Sequence, residues 1–231
     1  MAGSSRKHIG HRMGAVLNGL GGSPMSRDNT VAALTAHACV LIDYDTGHTE
    51  LRPASEAAAH MGATVVRLQD AALSWGTVEQ SAILPDPVSI PLRWRVGAVP
   101  VVLVTAAARV IGPRRGRFSR LVRLACTGRN LPPARAGQSR YAVCAVRRAS
   151  RVMPMRWACM EDSTAAALLL AVARRRAEWR HGIATDPVRL HAWVAGPEGE
   201  AVEEPADTVL YTPTYTPDGP GPARAERGVR P

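Results

Sequence analysis

Three short runs near the start of the chain are rich in aliphatic and β-branched residues and are separated by polar turns: Val31 to Ala36, Cys39 to Asp43 and His48 to Arg52. Asp45-Thr46-Gly47 supplies the tight-turn chemistry of a hairpin between the second and third runs. Pro53 stops the third strand and stands at the head of an expected helix, Ala54 to Met61, with Gly62 as its terminator. Two more helices are expected over Thr64 to Trp75, where Val65, Leu68 and Leu73 share a face, and over Thr77 to Leu84. Residues 30–84 therefore read as a small winged-helix-like unit. The polar, glycine-rich stretch before it, residues 1–29, reads as a disordered lead-in.

Leu84-Pro85-Asp86-Pro87 is a stiff extended connector, because each proline restricts the residue before it. A second unit is expected over residues 85–216. Val96 to Ile111 is its most apolar long stretch and reads as a buried helix; it is shorter than the ~20 residues that span a bilayer and contains Pro100 and Arg109. Helices over Arg117 to Cys126 and Tyr141 to Val152 are set apart by Gly112-Pro113 and by a loop from Gly128 to Gln138. Met160 to Arg176 is apolar nearly all round, the mark of a helix at the centre of a domain, with Arg174, Arg175 and Arg176 suited to its C-terminal turn. Leu190 to Val194 alternates as a strand, Leu190, Ala192 and Val194 on one face, His191 and Trp193 on the other. Gly196-Pro197-Glu198-Gly199 turns the chain toward a further strand, and residues 217–231 form a Pro/Gly/Arg-rich flexible tail. The fold class is α+β.

Composition sharpens this. With 46% hydrophobic residues the chain can bury a core, and with 4% aromatics that core rests on Ala, Leu and Val. The net charge is +10, and fifteen arginines with no Asp or Glu lie between Arg93 and Arg156. Such a block repels itself unless it meets an acidic partner, phosphate or acids of its own fold. Cys39, Cys126, Cys144 and Cys159 show no CxxC pair and no Cys/His ligand spacing, so structural zinc is not expected. The opening residues lack an apolar signal core, so a cytoplasmic protein with reduced thiols and no membrane association is expected.

The chemistry concentrates on Cys159, at the head of the central helix, and His191, 32 positions later. Backbone N–H groups and the positive end of the macrodipole stabilise a thiolate at a helix N-terminus. Glu161 and Asp162 would oppose that if they pointed at the sulfur, so they are expected to face away. A strand placing His191 against the helix start supplies a base, Trp193 would wall the site, and Glu203 or Glu204 on the next strand would orient the imidazole. The order cysteine, histidine, acid is that of papain and transglutaminase sites.

Several segments together resemble the lasso-peptide B proteins, transglutaminase-like cysteine peptidases that remove the leader from a lasso precursor. They are Ala145-Val146-Arg147-Arg148-Ala149-Ser150, Arg156-Trp157-Ala158-Cys159, the Ala/Leu helix ending in Arg174-Arg175-Arg176, Gly182-Ile183-Ala184 and Leu190-His191-Ala192-Trp193-Val194. Cys39-Val40-Leu41-Ile42-Asp43, Thr46-Gly47 and Leu51-Arg52-Pro53 resemble the small leader-recognition domain of ribosomal peptide pathways, which takes up the leader as an added strand.

The resemblance implies a winged-helix-like leader-recognition domain fused to a transglutaminase-like, papain-like cysteine peptidase domain. Cys159 is then the nucleophile, His191 the base and Glu204 the favoured acid, with Glu203 or Asp207 as alternatives because the family uses an aspartate there. Thr49 and Leu51 on the third strand, with Trp193, would contact substrate. The implied partners are the leader of the lasso precursor and a cyclase resembling asparagine synthetase. No cofactor motif is evident and no P-loop occurs, so any ATP dependence would run through that cyclase. Two rival readings are a transglutaminase-like acyl transferase and a non-enzymatic module binding nucleic acid or peptide, nucleic acid being the weaker.

Overall fold

The computed structural model describes residues 29–55, 62–68, 88–185 and 187–221. Four strands open it: β1 (Thr30–Leu34), β2 (Ala38–Asp43), β3 (Thr49–Pro53) and β4 (Thr64–Arg67), in the sheet order β3-β2-β1-β4. The hairpin between β2 and β3 forms as its turn residues require. Asp43 accepts the Asp45 N–H at 2.8 Å and the Thr46 hydroxyl at 2.7 Å, and Gly47 adopts a left-handed φ of 76°.

Thr64 to Trp75, expected as a helix, begins instead as β4, which runs parallel to β1 with Val31 opposite Thr64. Thr64, Val65 and Val66 are β-branched, and the open side of β1 offers them a ladder that a helix of the same sequence could not match. Residues 69–75 of that expected helix, the one over Thr77 to Leu84 and all but Ala54 and Ser55 of the one over Ala54 to Met61 lie outside the described residues. So do residues 1–28 of the expected lead-in 1–29 and residues 222–231 of the expected flexible tail 217–231, whereas Gly219 and Pro220 of that tail pair as a strand with Thr216 and Tyr215.

Four helices follow: α1 (Leu92–Val110), α2 (Arg117–Ala125), α3 (Ala136–Ser150) and α4 (Cys159–Val172). A second sheet comprises β5 (Glu178–Thr185), β6 (Val188–Ala195), β7 (Thr212–Thr216) and β8 (Gly219–Pro220), in the order β6-β5-β7-β8 and antiparallel throughout. α4 packs against α1, α2, α3 and β6. Its all-round apolar sequence fits that position: Thr164, Ala165, Ala166, Ala167, Leu169 and Leu170 are buried. A fully buried Leu or Val contributes roughly 1.5–3 kcal/mol, so this helix anchors the domain.

Two expectations about the helices are corrected. α1 is not buried all round: Trp94, Ala98, Val101, Val102 and Thr105 face the core, whereas Val96, Val99 and Leu103 stand exposed. The buried stripe of α1 is the one that packs against α2, α3 and α4. α4 ends at Val172, before the arginines. Arg174 then takes a left-handed φ of 57°, and Arg176 swings to Glu178 and Asp218 at 2.8 and 2.9 Å rather than capping the helix.

The two units predicted from sequence share one hydrophobic cluster, which runs from Val31, Val40 and Ile42 of the first sheet through Trp94 and Leu170 to Trp179 of the second. Tyr44, just past β2, is the bolt: its hydroxyl lies 2.6 Å from His181 Nδ1 and 2.7 Å from Thr214 Oγ1 of the second sheet. The opposite face of the first sheet, Ala32, Cys39 and Leu41, forms a smaller cluster of its own. Among the described residues no helix is long and apolar enough to cross a membrane.

Candidate active site

Cys159 is the first residue of α4. The residue before it, Ala158, has no side-chain oxygen to claim the free N–H groups of the first turn, as a serine or aspartate there would. The Met160 N–H is thereby left to approach the Cys159 sulfur. Glu161 accepts the Ala158 N–H at 3.2 Å and is itself held by Arg109 at 2.8 Å and Arg117 at 3.4 Å. Asp162 accepts from Trp157 Nε1 at 2.6 Å and lies 3.7 Å from Arg147. Both carboxylates are thus engaged by cations and donors; Asp162 lies outside the cleft lining, whereas Glu161, expected to face away, lines the same cleft as Cys159 with its charge met by the two arginines.

His191 stands on β6, the edge strand beside the start of α4. Its Nε2 lies 2.9 Å from Glu204 Oε2, and its side chain also hydrogen-bonds Cys159, which leaves Nδ1 for the sulfur. The second Glu204 oxygen lies 2.5 Å from Arg147, whose guanidinium also reaches the Glu203 carbonyl. The orienting acid was expected on a strand but comes from a turn. After a single bridge between Ala195 and Ala201 the chain leaves the sheet, and Glu203 adopts a left-handed φ of 55°. That reversal sends Glu203 to Arg140 at 2.6 Å and brings Glu204 to His191. Asp207 lies elsewhere, 3.8 Å from Arg189. Arginines of the basic segment therefore meet acids of their own fold around this site.

The pair is polarised. Burial pushes the Cys159 thiol up, but the hydrogen bond from His191, the Ala192 and Met160 N–H groups and the imidazolium charge outweigh it, so the thiol sits below its ordinary value. Burial opposes the charge on His191 as well, yet its bonds to Cys159 and Glu204 raise it to about 9. The site favours a thiolate beside an imidazolium. Cys39, Cys126 and Cys144 are free as well, but burial pushes each of them up, Cys126 to about 11.

A cleft of about 410 Å³ opens over this pair. Cys159, Met160, Leu190, His191 and Ala192 line it together with Phe118 and the hairpin tip Thr46 and Gly47. A Cβ on Gly47 would stand 2.7 Å from the Phe118 Cβ, so this close approach requires glycine. Trp193, expected to wall the site, is 3% exposed and lies under it, its ring stacked on His191 with centroids 5.8 Å apart. From Ala192 to Ala195 successive residues of β6 are all buried, so the simple inside/outside alternation does not apply there. Thr49 and Leu51 lie on exposed β3, at the edge of the first sheet and outside the cleft lining.

Sequence reasoning missed His181, which lines the cleft, and Tyr44 and Arg147, which position its walls. A histidine at the inward position of the alternation Trp179, His181, Ile183 was a readable signal; Arg147 stood in a segment that carries the resemblance, but nothing local marked it as a partner of Glu204. Among the described residues no group of three or more His, Cys, Asp or Glu side chains is arranged to hold a metal ion.

Residues 102–216 match the family model of the transglutaminase-like superfamily, a segment that contains Cys159, His191 and Glu204. Neither a curated protein nor a solved structure matches the chain. The superfamily implies chemistry of the cysteine-peptidase or acyl-transfer type.

Proposed function

Starting from the transglutaminase-like domain that this chain carries at residues 102–216, we propose that it is a leader peptidase acting on a ribosomally made lasso precursor. The observation that carries this reading is the run Glu204, His191, Cys159, ending at a helix N-terminus inside a cleft. The Cys159 thiolate attacks the carbonyl carbon of the last leader residue. Backbone N–H groups at the start of α4 stabilise the oxyanion. The His191 imidazolium gives its Nδ1 proton to the departing amine of the core, and a thioester remains on Cys159. Water, losing a proton to the same nitrogen, hydrolyses that thioester and frees the leader acid.

The first sheet fits leader recognition, with β3 at its edge exposing Thr49 and Leu51 for an added strand. The hairpin that ends at β3 also supplies Thr46 and Gly47 to the cleft, so the strand proposed to pair with the leader begins two residues from the cleft lining. The freed α-amine passes to a cyclase resembling asparagine synthetase, to which any ATP dependence belongs.

The test incubates the purified protein with a short precursor encoded beside it, with and without the cyclase and ATP, and weighs the products. The expected result is leader and core whose masses sum to precursor plus one water, lost in Cys159→Ala. A product joined to an amine with loss of ammonia would instead make the protein an acyl transferase. Intact precursor together with tight, salt-dependent DNA binding would make it a binding module.

A further inference from the structure

His181 is the second histidine of the cleft, 4% exposed, and it takes no part in the run from Glu204 to Cys159. On β5 it pairs with Ala192, the residue after His191. Its Nδ1 is taken by the Tyr44 hydroxyl at 2.6 Å. Among the described residues Nε2 has no protein partner, and it is not one of the fully enclosed unpartnered atoms, so it opens onto the cleft that the residue lines.

Three hydrogen bonds fix which nitrogen carries the proton. The Thr214 hydroxyl donates to the His181 carbonyl at 3.1 Å, so its oxygen must accept from the Tyr44 hydroxyl at 2.7 Å. The Tyr44 oxygen then accepts from Nδ1–H, and Nε2 is left as a bare lone pair. Burial pushes the imidazole down to about 3, with the charge of His191 adding to the effect, so the ring stays neutral. Phe118 and Trp179 hold its plane, with centroids 5.5 and 6.4 Å away.

We infer that His181 is a substrate-contacting residue, a fixed acceptor whose Nε2 takes an N–H of the peptide bound for attack by Cys159. A buried acceptor that no donor among the described residues reaches, on the wall of the cleft that holds Cys159, is satisfied when an amide donor enters. Tyr44 acts through it as a positioning residue. The first sheet thereby sets the hydrogen-bonding character of a site carried by the second. This inference rests on Cys159 being the nucleophile of the proposed peptidase.

Two alkylating probes test it: iodoacetamide, which reads the thiolate alone, and a dipeptidyl chloromethyl ketone, made with free and with N-methylated amides. Wild type is expected to react about 10-fold faster with the N–H dipeptide than with its N-methyl form, the order of one hydrogen bond to a buried group. In His181→Leu that preference collapses, while the iodoacetamide rate stays within about 2-fold because Cys159 and His191 keep their contacts. Tyr44→Phe, which frees the tautomer, loses part of the preference and serves if His181→Leu does not fold. An unchanged preference in the folded variants overturns the inference, as does a wild type that does not discriminate between the dipeptides. A parallel fall with both probes does so too, since His181 would then act on the thiol. Absence of Cys159 labelling by either probe in wild type sinks the nucleophile assignment itself, a result distinct from these.

Discussion

Glu204 reaches His191 Nε2 at 2.9 Å and Arg147 at 2.5 Å, whereas Glu203, one residue earlier, reaches Arg140 at 2.6 Å. Only the first of the two can orient the imidazole. Glu204→Gln is expected to cut precursor turnover by roughly 10²–10⁴-fold, the span associated with a mispositioned general base. Glu203→Gln should leave turnover within about 3-fold, since its partner is an exposed arginine. Equal losses in steady-state assays of the two variants would refute the assignment.

Cys159 is the cysteine whose thiol is lowered, while burial pushes Cys39, Cys126 and Cys144 up. A short pulse of iodoacetamide near neutral pH should therefore label Cys159 first, by a margin of about tenfold or more. Peptide mapping by mass spectrometry reads the order. His191→Ala should erase the preference.

The direction of the two shifts sets a pH profile. Turnover is expected to rise as Cys159 loses its proton, below the ordinary thiol range, and to fall as the imidazolium loses its own near the value of about 9 to which His191 is raised. The alkaline fall follows because the departing amine needs that proton. A profile still climbing above pH 9 would place the proton donor elsewhere.

Gly182 pairs across from His191, and a Cβ there would stand 2.6 Å from the Thr212 carbonyl oxygen and 2.8 Å from the Trp193 ring. Gly182→Ala is expected to cost about 1–3 kcal/mol, as overpacking of a buried site does. Urea unfolding measures it. Since Trp193 stacks on His191, turnover should fall further than the loss of folded protein explains.

Arg109 lies 2.8 Å from Glu161, whose side chain is only 5% exposed, and the second cation, Arg117, is at 3.4 Å. Arg109→Met leaves that carboxylate with its weaker partner, and a loss of about 2–3 kcal/mol is expected, somewhat under the usual cost of stranding a buried charge. The double variant Arg109→Met, Glu161→Gln should recover much of the loss in the same unfolding assay.

Much of this was legible in local pattern. The β2–β3 hairpin announced itself through Asp45-Thr46-Gly47, because turn geometry is set by the residues within it. α4 was legible because a helix apolar on every side has nowhere to go but the middle. Cys159 at its tip, His191 on an alternating strand and Glu203 or Glu204 as the acid were readable by residue type and order.

What the chain could not declare were relationships between distant segments. Thr64–Arg67 carries both helical and strand character, and the neighbouring edge of β1 settles it. The exposed face of α1, the burial of Trp193 and the meeting of Tyr44 with His181, 137 positions apart, all depend on which surfaces come together in three dimensions. Sequence alone determined the candidate nucleophile, its base and the elements that carry them, since propensity and periodicity act over a few residues. Tertiary structure decided which acid meets the imidazole and which second histidine lines the cleft, because those contacts arise only when a backbone reversal at Glu203 and a shared core bring remote side chains within hydrogen-bonding distance.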